Sequence, residues 1–173
     1  MIERPTPKEY HAHFELYIAL VVDAVSCEQL RVQLNNVIDK LSALTEDQAK
    51  YRYAPGKWSI KQVIGHLSDT ERVMSYRLLR VARGDRTSLP AFHEESFMLH
   101  SPYDELSMRD VIEEFRAVRC STIALCNGLC DEAWLRRGII DNQEMSARAL
   151  GYIITGHVIH HMKMIEERYL QSY

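Results

Sequence analysis

Two histidines, His157 and His161, stand four residues apart in the segment Gly156-His157-Val158-Ile159-His160-His161-Met162. On a helix that spacing puts both imidazoles on one face, about one turn apart. Two ligands from one turn and a third histidine from elsewhere make an open metal site, with a position left for water or substrate. His66 is the obvious third candidate. Burying two imidazoles without partners costs on the order of 1–3 kcal/mol each. A divalent cation satisfies both at once and takes them in their neutral form. The bland alternative is a pair of hydrogen-bonded core histidines.

His66 falls at the edge of its helix's apolar face, about 90° from the centre, which predicts a rim position open to solvent. Asp69 lies further out and is expected at most to orient an imidazole from behind. His160 sits about 60° around the helix from His157 and reads as a flanking residue. His11, His13, His93 and His100 occupy polar or irregular stretches and are expected on the surface. Several familiar chemistries are excluded by residue type. A zincin needs Glu directly after the first histidine of its pair, and here that residue is Val158. No Glu-x-x-His pair of the di-iron kind accompanies the proposed site. Nucleophile elbows, phosphate-binding glycine loops and dinucleotide fingerprints are also missing.

The elements that must carry these residues are helical. Leu30, Leu34, Val37, Ile38, Leu41 and Leu44 keep three-and-four spacing, so a first long helix is predicted from a Ser26 cap to about Leu44. Ser59 and Gln62 form a capping box for a second, running to about Ala82 and stopping at Gly84. Ser107 caps a third, whose stripe is Val111, Phe115, Val118, Thr122, Leu125 and Leu129. Ser146 caps a fourth, with Leu150, Ile154, His157, His161, Met164 and Arg168 in line. Residues 1–9 read as an extended arm, and 10–22 as a short helix or packed arm. The long connection at 85–105 holds Pro90 and Pro102 and at most a helical turn. Residues 131–144 read as a link. No strong strand is predicted, so the fold class is all-α: a four-helix bundle occupying one domain, 1–173, with a crossover permitted between helices two and three.

Composition limits the partners. A formal net charge of −3 offers no basic stripe for nucleic acid. No apolar run approaches a membrane span, and the first residues lack a signal-peptide pattern, so the expected location is cytoplasmic. Cys27, Cys120, Cys126 and Cys130 form no Cys-x-x-Cys and read as reduced, small apolar residues.

Longer motifs carry a resemblance. Tyr53-Ala54-Pro55-Gly56-Lys57-Trp58-Ser59-Ile60-Lys61 is followed by Gly65-His66-Leu67-Ser68-Asp69-Thr70-Glu71-Arg72. With Arg83-Gly84-Asp85, Leu89-Pro90, Gly156 through His161 and Glu167-Arg168-Tyr169, the chain resembles the DinB-like superfamily, particularly its YfiT-like branch, from Arg4-Pro5 to Tyr169. The resemblance implies a four-helix bundle whose metal triad is His66, His157 and His161, holding Zn, Ni or another divalent ion. It also implies a homodimer and a small-molecule substrate. Some members transfer low-molecular-weight thiols onto electrophiles, others are described as metal-dependent hydrolases, and many have no assigned reaction. One departure is His93, in Phe92-His93-Glu94-Glu95, where relatives often carry an acid. The resulting expectation is a metal-dependent thiol S-transferase. The alternatives are a hydrolase and a non-catalytic metal-binding or stress-response protein. No general base is identifiable from the sequence, which favours transfer over hydrolysis.

Overall fold

A computed structural model describes residues 2–170. The chain opens with two 3₁₀ turns, Pro7–Glu9 and Ala12–Phe14, and a single helical turn, α1 (Glu15–Ile18). It continues through α2 (Cys27–Ser42), α3 (Glu46–Lys50), α4 (Ile60–Ala82), α5 (Glu94–Leu99), α6 (Met108–Asn127) and α7 (Asp131–Leu135). A hairpin of β1 (Arg137–Ile140) and β2 (Gln143–Ser146) leads into α8 (Ala147–Arg168).

The four long helices, α2, α4, α6 and α8, begin alike. Ser26, Ser59, Ser107 and Ser146 each hold an extended backbone, and each side chain accepts from the amide three residues on. Each cap satisfies one of the amides that a helix start leaves without an internal partner. α4 packs against both α6 and α8, and α2 packs on α6. Gln33 of α2 donates to Thr155 O of α8 at 3.0 Å, and Lys40 pairs with Glu166, so the bundle closes on itself.

The interior falls into two apolar clusters. One gathers Leu30, Leu78, Ile123, Trp134, Ile140 and Leu150 toward the hairpin. The other gathers Leu41, Ile60, Leu67, Phe115 and Ile165 toward the opposite end. A polar layer crosses the bundle between them. Arg119 of α6, fully buried, donates from Nε and Nη2 to the Glu71 carboxylate of α4 at 2.7–3.0 Å. Its Nη1 donates to Gln33 Oε1, and Gln33 passes the chain on to Thr155 O. One hydrogen-bonded network therefore touches all four long helices beside the site histidines.

Two expectations change here. The link at 131–144 contains α7 and a hairpin, with Asp141 (φ 47) and Asn142 (φ 62) at its tip and Ile140 paired with Gln143. Two consecutive left-handed residues make the turn whose twist suits a tight hairpin, and Asp and Asn tolerate that backbone. Leu89 bridges to Ile140 in parallel, so the long connection is held by backbone hydrogen bonds. The second change concerns α8. From Ala149 to Val158 every residue is buried, so its first half has no solvent face, and Arg168 of the expected stripe is exposed. α1 covers the side that a bundle helix would normally show to water. No helix among the described residues is long and apolar enough to cross a membrane.

Candidate metal centre

α4 supplies His66, and α8 supplies His157 and His161. A glycine precedes the first histidine of each helix, and both glycines permit close approach. A Cβ on Gly65 would lie 2.1 Å from the Tyr103 ring, and one on Gly156 would lie 2.1 Å from Tyr17 O. Gly156 thus lets α1 seat directly on α8, with the Tyr17 ring edge-on to His157 (5.1 Å) and to His160 (5.4 Å). Trp58, just ahead of the α4 cap, lies 5.0 Å from the His66 ring.

The three histidines converge. Each offers one ligand atom, and these atoms all lie within 4.8 Å of one another. His66 Nε2 and His157 Nε2 are 3.0 Å apart, and the ring centroids lie 4.5–4.9 Å from each other. Ligand nitrogens around a tetrahedral ion at about 2.0–2.1 Å stand roughly 3.3 Å apart, so small side-chain rotations separate this arrangement from a coordinating one. Among the described residues His161 Nδ1 is buried with no hydrogen-bond partner. A polar atom left in that state is rare in native interiors, and a ligand is one of the things that resolves it. Burial pushes His66 down to about 4 and His161 down to about 3. It pushes His157 well below its ordinary value, and the neighbouring imidazoles add to the effect. All three are therefore neutral near pH 7 and keep a lone pair for a cation. The donor set fits a divalent transition metal such as zinc or nickel.

His66 is buried, at 3% exposure, which corrects the rim position read from the helical wheel. Trp58 and the segment beginning at Glu94 cover it. That segment brings a residue the sequence did not single out: Glu94 Oε2 lies 3.8 Å from His66 Nε2. Burial and Glu95 raise its carboxyl above the ordinary value. Thr70, one turn after His66, places Oγ1 3.3 Å from His66 Nδ1. The spacing of four on α4 was the available signal for Thr70, whereas Glu94 lies beyond a non-periodic connection and left none. Asp69 does not orient an imidazole; it pairs with Arg72 at 3.2 Å. His93, His100 and His13 are exposed as expected, but His11 is buried, with Nε2 3.1 Å from Ile140 O of the hairpin. Of the cysteines, Cys126 is buried and Cys27 half-buried, while Cys120 and Cys130 are exposed, against the expectation that all four act as apolar filler.

A cavity of about 660 Å³ adjoins the triad and is lined in part by Tyr17, Thr70, Phe92, Glu94 and His157. One side is built from the arm and α8, another from α4 and the connection that follows it.

The bundle and its three-histidine site define a class, and comparison with known proteins agrees. The sequence profile described as the DinB superfamily matches residues 29–165, and the chain belongs to that superfamily. A protein of Oceanobacillus iheyensis, named as a candidate metal-dependent hydrolase, is 22% identical over 141 residues, covering 80% of each chain. The solved structure of YfiT from Bacillus subtilis superposes with a TM-score of 0.64 at 16% identity, over 95% of this chain and 93% of that one. It is described as a probable metal-dependent hydrolase with an unusual four-helix bundle topology. At that identity the likeness establishes the fold.

Proposed function

We propose that His66, His157 and His161 bind a divalent metal ion and that the protein is a metal-dependent hydrolase acting on a small molecule in the adjoining cavity. The observation that carries this reading is the convergence of three buried, neutral imidazoles beside a cavity, with a carboxylate at 3.8 Å from one of them. When bound, a divalent ion supplies Lewis acidity toward a carbonyl and toward water. The chain's own contribution is positional. Thr70 holds the His66 ring from its far nitrogen, and the Tyr17 and Trp58 rings fix the neighbouring planes. Glu94 is the carboxylate placed to take a proton from an attacking water and return it to a leaving group. Its presence removes the reason for preferring thiol transfer, namely the lack of any nearby base. The two relatives described for metal-dependent hydrolysis support the same reading.

Thiol S-transfer is the second reading. The cavity, at about 660 Å³, has room for a thiol and an electrophile together. Activity assays separate the two. Zinc- or nickel-loaded protein is expected to hydrolyse 4-nitrophenyl acetate, and Glu94→Gln is expected to lower kcat about 100-fold while metal content stays unchanged. Consumption of monochlorobimane only in the presence of a low-molecular-weight thiol, with no ester hydrolysis, would establish transfer instead.

A further inference from the structure

Among the described residues Arg77 is a buried cation with no carboxylate in ion-pair contact. It lies on α4, 4% exposed, and lines the same cavity as His157 and Thr70. Among the described residues its Nη2 donates to Pro90 O at 2.6 Å, and its Nη1 has only the Met74 sulfur at 3.6 Å. Its guanidinium carbon stands 5.4 Å from the centre of the Phe92 ring. Among the described residues no carboxylate reaches it within ion-pair distance, whereas the other buried arginine, Arg119, is fully paired with Glu71. An arginine stays charged in proteins and carries five donors, so one carbonyl and one thioether leave it under-satisfied. Taking an uncompensated charge out of water is costly, and such a group gains most when an anion arrives.

The other charges around the cavity are placed differently. Glu94, Glu95 and Asp141 line it as well and are exposed, and of these Asp141 acts on Arg77 through space without reaching ion-pair distance. Water and salt screen them, whereas Arg77 is screened far less. His13 also lines the mouth, and burial together with neighbouring His11 lowers its pKa, so it adds no fixed charge near pH 7. A single guanidinium facing three acids suits a singly charged planar carboxylate better than a phosphate dianion.

We propose that Arg77 is the recognition residue for a carboxylate on the substrate, which therefore binds with an anionic end on Arg77 and its reacting end toward the histidine triad. This inference rests on reading the cavity as the substrate site. Eleven residues of helix separate the His66 and Arg77 Cα atoms by roughly 16 Å, and the length of the Arg77 side chain shortens the span that a ligand must cover. Phe14, Tyr17 and Phe92 line the cavity and suit an apolar middle.

The test is calorimetric titration of metal-loaded protein with hexanoate and with neutral hexanamide. Wild type is expected to bind hexanoate at least tenfold more tightly, and Arg77→Gln to abolish the preference with metal content unchanged. Arg77→Lys, which keeps the charge and loses the fork, is expected to lower the preference at least threefold, and it decides the matter if the Gln variant does not fold. A wild type without the preference, or a preference unaltered in both variants because the carboxylate sits on the ion, overturns the proposal. Hydrolysis of 4-nitrophenyl acetate, which bears no anion, reports separately on the hydrolase reading. Its failure removes that reading and leaves the hexanoate comparison standing.

Discussion

His157 shows most clearly how one residue serves packing and chemistry together. It meets the Tyr17 ring edge to face, with its Nε2 3.0 Å from His66 Nε2, on a helix that is buried all round at that point. Replacing it by alanine removes a proposed ligand and leaves a cavity, at a cost of about 2–4 kcal/mol to folding. The predicted result for His157→Ala is a stoichiometry of bound zinc or nickel near zero, with far-ultraviolet dichroism close to wild type at 25 °C. Retained metal would show that the ion is held elsewhere. Thr70→Val makes a finer test at the same scale. It keeps the shape but removes the group beside His66 Nδ1. Outer partners of this kind typically contribute tenfold or more to metal affinity. Competition against a chromogenic chelator is expected to show weakening of at least that size, and an unchanged affinity would remove Thr70 from the site.

At the scale of elements, the arm is held to the start of α8 by a partly buried ion pair. Glu9 accepts from Arg148 Nε at 2.7 Å and from Nη2 at 2.6 Å, and from Thr6 N at 2.9 Å. Burial raises the Glu9 carboxyl, but the Arg148 guanidinium and the Thr6 amide outweigh it and hold the group down to about 2, against an ordinary value of 4.5. A carboxyl with a lower pKa in the folded state adds stability above its unfolded value and loses it as the pH falls through the folded one. The pair therefore contributes on the order of 1–2 kcal/mol above pH 4.5, lost between about 4.5 and 2. Denaturant titrations from pH 6 down to 2.5 are expected to show this decline in wild type and a smaller one in Glu9→Gln. Parallel curves would mean that the pair does not hold the arm.

The elements also show what could be read in advance. Each long helix carried its own punctuation, a serine followed by a three-and-four apolar pattern, and all four starts are found at those serines. The hairpin was harder because its strands are four residues each, too short for a period to show, and its signal lay in Asp141-Asn142. The triad was legible because two members share a helical turn. Glu94 and the burial of His66 were not, since both depend on how a connection without periodicity folds back over α4. A helical wheel treats each helix as a rod facing one neighbour. His66 and the first half of α8 depart from it because short elements cover their outer sides.

Across the whole molecule, the polar layer sets the register of the bundle. Arg119 and Glu71 are withdrawn from water, and with Gln33 and Thr155 they connect every long helix at one level. Removing one partner of such a pair strands the other, at about 3–5 kcal/mol, whereas replacing both by apolar residues of similar size is often near neutral. Arg119→Met is thus expected to destabilise strongly, and Arg119→Met with Glu71→Leu to recover much of the loss in a chemical denaturation series. Equal losses in the single and double variants would contradict a paired role. The same layer holds α4 and α8 at the level where their histidines meet, so the network and the candidate metal centre depend on one packing arrangement.

The most direct measurement is an anomalous difference map from crystals of the zinc- or nickel-loaded protein, collected at the metal's absorption edge. The account predicts one strong peak per chain, within about 2.0–2.3 Å of a ring nitrogen from each of His66, His157 and His161. A map without that peak, from protein whose solution metal content is confirmed, would contradict it.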